Sequence, residues 1–242
     1  MEIISLGAGV QSTTLCLMAM HGFLPMPDCA IFADTGWEPA AVYEHLTWLE
    51  SVLSFPIYRV SNGNIRNDYT NARFATMPFF LSDGGMLRRQ CTSTYKLEPL
   101  RRKAKELGGG RLWIGISLDE IQRAKPSQVK YLTHWFPLVE LDMRRDGCKE
   151  WLRKHGYSIP PRSACIGCPF RSRREWASLT ENEYQDAIAY DELIRHLPRV
   201  NKDCYLHASR SPLALIARKD VSTDQGYQLN FWDNECEGMC GL

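Results

Sequence analysis

Two groups of residues in this chain have types and spacings that can do chemistry. The first is Gly7-Ala8-Gly9-Val10-Gln11-Ser12-Thr13-Thr14. A run of small and hydroxylated residues ahead of an apolar stretch makes a loop whose backbone N–H groups stand uncovered at a helix N-terminus. Such a loop is an anion site, because the helix dipole adds partial positive charge and Ser12, Thr13 and Thr14 offer hydroxyls. Phosphate binding, and with it nucleotide chemistry, is the leading reading. The second group is the cysteines. Cys165-Ile166-Gly167-Cys168-Pro169 can chelate one metal or two corners of a cluster. C-x2-C by itself is shared by zinc sites, iron–sulfur sites and redox dithiols. Cys91 follows Arg88-Arg89, and Cys236 and Cys240 stand close to the C-terminus. Cys16 and Cys29 sit in apolar runs and read as buried core thiols. Cys148 and Cys204 carry no pattern and read as structural.

These residues need elements to position them. Residues 2–6 read as a short buried strand that enters the loop, and an apolar helix follows over 15–20. Residues 28–33 read as a second strand, ending in Asp34-Thr35-Gly36-Trp37 before a helix over about 38–53. A third strand is expected at 56–60, a basic helix at 96–107 and a fourth strand at 111–116. Strands alternating with helices imply a parallel sheet with right-handed crossovers, and ligands sit at the C-terminal edge of such sheets. The stretch 61–89 is irregular and long enough to be functional. Beyond about Asp142 the alternation fades, with helices expected at 144–155 and 181–197. The expected organisation is a nucleotide-binding domain over 1–142 and a helical, cysteine-bearing subdomain over 143–242, in one continuous globular unit.

As a dinucleotide loop of the Gly-x-Gly-x-x-Gly type, the first segment has Ser12 where the third glycine belongs, and Asp34 lies beyond the usual acidic position. A plain structural turn between strand and helix is a further reading. Against the pyrophosphatase-type pattern Ser-Gly-Gly-x-Asp-Ser, Gly9 and Ser12 match, while Gly7 and Gln11 replace Ser and Asp. The order of the remaining motifs sharpens this: Asp34-Thr35-Gly36, then Cys91-x4-Lys96-x2-Pro99, then Gly115-x3-Asp119-Glu120-x2-Arg123, then Cys165-x2-Cys168. In that set the chain resembles the phosphoadenylyl-sulfate (PAPS) reductase family of the adenine nucleotide α-hydrolase, or PP-loop, superfamily. The resemblance implies an α/β fold with a five-stranded parallel sheet and a helical, cysteine-bearing C-terminal subdomain. By it, Gly7, Gly9, Val10, Gln11, Ser12 and Thr13 would hold phosphate or sulfate, and Asp34, Thr35, Gly36 and Gly115 would line the nucleotide pocket. Lys96 and Arg123 would act as catalytic cations that neutralise the anionic tail, arginine being suited to bidentate phosphate contact. Members that split ATP carry an acidic residue at the position of Gln11, which helps hold magnesium. Glutamine is a poor ligand for that hard cation, and Gly-x-Gln is the pattern of the sulfonucleotide-reducing members. Gln11 therefore points away from metal-assisted ATP cleavage, with Mg2+ admitted where another carboxylate supplies the ligand.

The resemblance also bears on the cysteines. Iron–sulfur members have two adjacent cysteines where this chain has Cys91-Thr92, so a tail cysteine would complete the set. The implied cofactor is a [4Fe–4S] cluster on Cys91, Cys165, Cys168 and either Cys236 or Cys240, with zinc as the fallback. Assimilatory reductases end near Glu-Cys-Gly-Leu, whose cysteine attacks sulfate sulfur. Cys240-Gly241-Leu242 is similar to its last three residues, which makes Cys240 a catalytic nucleophile as an alternative to a ligand. Glu237 would raise its pKa, and nearby cations would have to offset that. Arg171-Ser172-Arg173-Arg174 reads either as a solvated helix start or as a phosphate clamp. Trp135, Trp151 and Trp176 read as core packing, and His207 as a structural histidine.

Composition bounds the rest. With 242 residues, 44% hydrophobic and 24% charged, the chain is ordinary globular material. A formal net charge of +1 argues against coating nucleic acid through bulk charge, though not against a local basic groove. No stretch is apolar for long enough to span a membrane, and no signal core follows the N-terminus, so the expected compartment is cytoplasmic. Nine cysteines there speak for metal or thiol chemistry over a disulfide framework. The expected protein is an iron–sulfur enzyme of PAPS-reductase type that binds ATP or phosphoadenylyl sulfate and reduces or transfers sulfur. The alternatives are ATP-dependent sulfur insertion into DNA or RNA, and a zinc-stapled nucleotide sensor. The partners expected are an adenine nucleotide, a thiol or sulfur donor protein, and a nucleic acid under the first alternative. No membrane is expected, and a homo-oligomer is compatible with the sequence.

Overall fold

Glu2–Leu6 (β1), Cys29–Asp34 (β2) and Gly110–Ile114 (β5) are short runs rich in branched and aromatic side chains, as strands covered on both faces are. In the computed structural model, which describes residues 1–69, 75–198 and 200–216, they form the centre of a parallel sheet. Ile57–Ser61 (β3) and Leu132–Trp135 (β6) close its edges, giving the order β3-β2-β1-β5-β6, with every pair parallel. The chain leaves β1 towards β2 and β3 and later returns to the other side of β1 with β5. The gap above β1 is therefore the point at which the winding reverses, where open α/β sheets bind ligands. A two-stranded antiparallel pair, Phe80–Leu81 (β4) with Cys204–Tyr205 (β7), lies apart from this sheet.

Helices cover both faces. Val10–Met20 (α1), Ala40–Val52 (α2) and Arg145–Lys154 (α5) pack over Ile4, Leu6, Phe32 and Trp113 through Leu15, Leu17, Leu46 and Leu152. Glu98–Glu106 (α3) covers the other face, where Leu100 and Ala104 meet Ile3, Ile31, Leu112 and Ile114. Ile3 and Ile4 belong to opposite cores because successive strand residues point to opposite faces. Pro137–Glu140 (α4) follows β6. A third core, around Trp37, Trp176 and Tyr190, is built by Arg173–Ala177 (α6) and Glu181–Leu193 (α7) together with the turn after β2. Capping boxes start both helices: Ser172 with Glu175, and Thr180 with Glu183. No described helix is long and apolar enough to cross a membrane.

The boundaries differ from the sequence expectation in instructive places. α1 begins at Val10, so Gln11–Thr14 form its buried first turns and not a loop. The basic helix is preceded by a π-helical turn over Thr92–Leu97. The fifth strand, β6, falls between the expected fourth strand and Asp142, where the sequence marks no element. Arg171 is neither solvated nor a phosphate clamp. It is buried, and its guanidinium donates to the carbonyls of Ala164, Cys165 and Ile166. Arg173 and Arg174 are exposed. Trp176 is core, Trp135 packs edge-on against Trp113, and Trp151 lies against the first core. His207 is buried with Nδ1 bonded to Ser209.

Candidate active site

The loop after β1 is shaped to present backbone donors. Gly9 is the N-cap of α1 and supplies no capping side chain, so the first-turn N–H groups are not tied down from that position. Ala8 adopts the left-handed region (φ 57°), unusual outside glycine and a local strain of the kind that collects at functional loops. Ser12 Oγ accepts the Gly7 N–H at 3.2 Å and closes the turn. Gly115, at the end of β5, passes so near that an added Cβ would lie 3.0 Å from the Ser12 nitrogen. Thr13 Oγ1 is paired with His45 Nε2 at 2.9 Å. Val10 and Gln11 are fully buried in the same turn.

Gln11 sits in a polar chain. Its Nε2 donates to Glu120 Oε2 at 3.0 Å and to Ser117 Oγ at 3.3 Å, and its Oε1 accepts from Arg145 Nη1 at 2.5 Å. Arg123 pairs with Glu120. Burial pushes the Glu120 carboxyl above its ordinary range, while Arg123 and Arg145 pull it back. The motif Gly115-x3-Asp119-Glu120-x2-Arg123 therefore has a physical content. Gly115 lets the loop approach, Glu120 holds Gln11, and Asp119 accepts the first N–H of α5 at 3.1 Å.

The turn after β2 is the second wall. Asp34 Oδ1 accepts from the Gly36 N–H at 2.7 Å and from the Tyr43 hydroxyl at 2.8 Å. Gly36 has φ 71°, and an added Cβ would meet the Asn64 backbone at 3.0 Å, so glycine is required there. Thr35 turns the other way. Its hydroxyl donates to Glu38 Oε1 at 2.9 Å and accepts from the Cys165 thiol at 3.2 Å. Trp37 carries the link further, since its carbonyl accepts the Ile166 N–H at 2.8 Å and its ring fills the third core.

Cys91, Cys165 and Cys168 line one pocket with Lys96, Arg89 and Thr35. The π turn contributes Lys96, and Cys91 is its N-cap. Its hydrogen bonds reach from i to i+5, as from the Glu98 N–H to the Ser93 carbonyl. Cys91 and Lys96 are five residues apart and face the same space. Lys96 is buried with its Nζ 4.0 Å from Glu38 Oε1, and the other Glu38 oxygen has no hydrogen-bond partner among the described residues. Burial and Glu38 push the Cys165 thiol well above its ordinary value, and Lys96 pulls the other way. No disulfide joins the described cysteines. Burial pushes Cys16 up to about 12, and Cys29 and Cys204 up to about 11, as befits core thiols.

The predicted residues thus divide. Gly7, Gly9, Val10, Gln11, Ser12, Thr13, Gly115 and Arg123 gather at the loop, whereas Thr35 and Lys96 stand with the cysteines. Lys96 and Arg123, expected to serve one anionic tail, pair with different carboxylates, Glu38 and Glu120. Cys236 and Cys240 lie outside the described residues. Sequence reasoning missed Glu38, Trp37 and Arg145. Adjacency to Asp34-Thr35-Gly36 was a signal for the first two, and nothing marked Arg145. As a donor set, three thiols on one pocket suit a thiophilic metal, but no group of three metal-ligating side chains closes at ligating spacing among the described residues.

The model of the phosphoadenosine phosphosulfate reductase domain matches residues 2–161. The chain belongs to the PAPS reductase family. Membership makes it an enzyme of nucleotide-dependent sulfur chemistry, and the five-stranded parallel sheet is the fold expected of it. The match stops before Cys165, so the cysteine pair lies beyond the shared domain. The crystal structure of PAPS reductase from Candida auris, a phosphate complex, is similar at 12% identity and a TM-score of 0.45, over 66% of this chain and 75% of that one. A search of curated proteins returned no match.

Proposed function

We propose that the chain is an iron–sulfur enzyme of PAPS-reductase type, binding ATP or phosphoadenylyl sulfate at the loop of residues 7–13 and reducing or transferring sulfur at the cysteine pocket. The observation that carries this is Thr35: it belongs to the turn that ends β2 at the sheet's ligand edge, and it also bonds to Cys165. Nucleotide edge and thiols therefore adjoin. Cys91, Cys165 and Cys168 would hold a [4Fe–4S] cluster, with Cys236 or Cys240 as the fourth ligand. When bound, such a cluster supplies thiophilic iron at which sulfur is held or oriented.

The chain's own residues do the rest. Backbone amides around Gly9 and Ser12 receive the anion, and Arg123 balances charge on that side. Lys96 brings a buried ammonium to the thiols, where it favours thiolate against the opposing Glu38. If Cys240 is free of the cluster, its thiolate attacks sulfate sulfur, the sulfur–oxygen bond to the nucleotide breaks, and the nucleotide phosphate leaves. An external thiol then attacks the Cys240 sulfur, forming a disulfide and releasing sulfite, so two thiols supply the two electrons.

The test is to purify the protein without oxygen, assay iron, zinc and acid-labile sulfide, and follow sulfite release from phosphoadenylyl sulfate with a thiol donor. Matching iron and sulfide that fall in Cys165→Ser and Cys168→Ser, with sulfite release lost in Cys240→Ser, is the expected result. Zinc without sulfide would overturn the cluster and leave the cysteines structural. Nucleic-acid-dependent AMP release in place of sulfite would point to sulfur insertion into DNA or RNA.

A further inference from the structure

Gln11 is 0% exposed, and both ends of its carboxamide are engaged by groups from distant parts of the chain. The contacts are directional. Oε1 can only accept, and it faces the Arg145 guanidinium; Nε2 can only donate, and it faces Glu120 and Ser117. A flipped carboxamide would set oxygen against the Glu120 carboxylate and an amide against a guanidinium, so the orientation is fixed by its surroundings. Arg145 is itself held. It is the first residue of α5, its backbone N–H is capped by Asp119, and α5 lies along α1. Between the loop and α5 there is thus a continuous path: Asp119 sets the start of α5, Arg145 sets Gln11, and Gln11 sits in the first turn of α1 beside Ser12. A Cβ added to Gly115, just after β5, would lie only 3.0 Å from the backbone nitrogen of Ser12, so the turn is walled closely on that side as well.

We propose that Arg145 is a positioning residue for the nucleotide's phosphate site. It locks Gln11, and through Gln11 it holds the first turn of α1 in its anion-receiving arrangement. The inference rests on the nucleotide-binding reading above. It explains what a glutamine does at this place: its neutral carboxamide bridges a cation and a carboxylate, which neither an aspartate nor an apolar residue can do.

The test is calorimetric titration of ATP and of phosphoadenylyl sulfate into the full chain and its variants, with Tm recorded for each. Arg145→Ala should weaken binding by at least about tenfold, the loss of one hydrogen bond to a charged group. Arg145→Lys keeps the charge without the planar fork and should recover only part. Gln11→Ala should weaken binding similarly, and the double variant should be no weaker than the worse single one, because both break one path. A purely structural role would lower Tm and leave the affinity of the folded chain unchanged. Equal affinity in Arg145→Ala and the unaltered chain, or losses that multiply in the double variant, would overturn the inference while leaving nucleotide binding intact. If the unaltered chain binds neither probe, the nucleotide reading fails and this inference with it. Should Arg145→Ala not fold, Arg145→Gln answers the same question.

Discussion

Single residues in this protein act through partners far away in sequence, and His45 shows how that becomes measurable. It lies on α2, pairs with Thr13 of α1 and stacks on Trp48 with ring centroids 5.3 Å apart. Burial pushes its imidazole down to about 4. In the unfolded chain the value is about 6.5, so as pH falls the unfolded state takes up the proton first. The stability that His45 contributes is whole above about pH 6.5 and is lost progressively down to about pH 4. Denaturant unfolding across that window should show a shallower loss for His45→Gln than for the unaltered chain; parallel curves would remove His45 from the account. Of the candidate site at this scale, the sequence marked Gln11, Thr35, Lys96 and the cysteine pair by type and spacing. It did not mark Glu38 or Arg145, because an acid or a guanidinium is an ordinary surface residue until burial and a partner make it otherwise.

At the scale of elements, close approach decides where glycine must stand. Gly115 brings the end of β5 against the first turn of α1, and Gly167 brings the cysteine turn against the Trp37 ring. A methyl group on Gly115 would press on backbone atoms of Ser12 and Gln11, which cannot swing aside as a side chain can. Gly115→Ala should therefore weaken nucleotide binding, by titration, more than it lowers Tm. On Gly167 the added methyl would overlap the indole directly, at the junction of the cysteine turn and the third core. Gly167→Ala should lower stability by roughly 1–3 kcal/mol in denaturant unfolding, the usual cost of overpacking. Both glycines lie within motifs visible in the sequence, but only Gly115 is a position that its motif specifies, since Gly167 fills one of the open places of C-x2-C.

For the molecule as a whole, Asp191 on α7 ties the helical part to the segment that follows. It is 1% exposed, ion-paired with Arg195, and it accepts the backbone N–H groups of Leu206 at 2.8 Å and Leu213 at 3.0 Å. Asp191→Ala leaves two buried backbone donors without their acceptor and takes the carboxylate from the part-buried Arg195, which keeps the Cys204 carbonyl, and should cost roughly 3–5 kcal/mol in denaturant unfolding. A loss below about 1 kcal/mol, the level of an exposed pair, would show that this tie is solvated in solution.

The alternation of strands and helices, the small-residue turn before α1 and the order of the motifs could be read directly from the sequence. Each is written in neighbouring residues: strand and helix periods, small residues before an apolar helix, and fixed short spacings. Even there, the start of α1, the π turn and the edge strand β6 escaped, since packing outweighs local preference at element ends and edges. Which motif meets which was decided only by the tertiary structure. Crossovers bring Arg145 to Gln11, Cys165 to Thr35, and Lys96 to the thiols. Those meetings join residues more than 100 positions apart in the first two cases, and no local window holds both partners. Their chemistry follows from burial, where a polar group is settled only by the partner that the whole fold supplies.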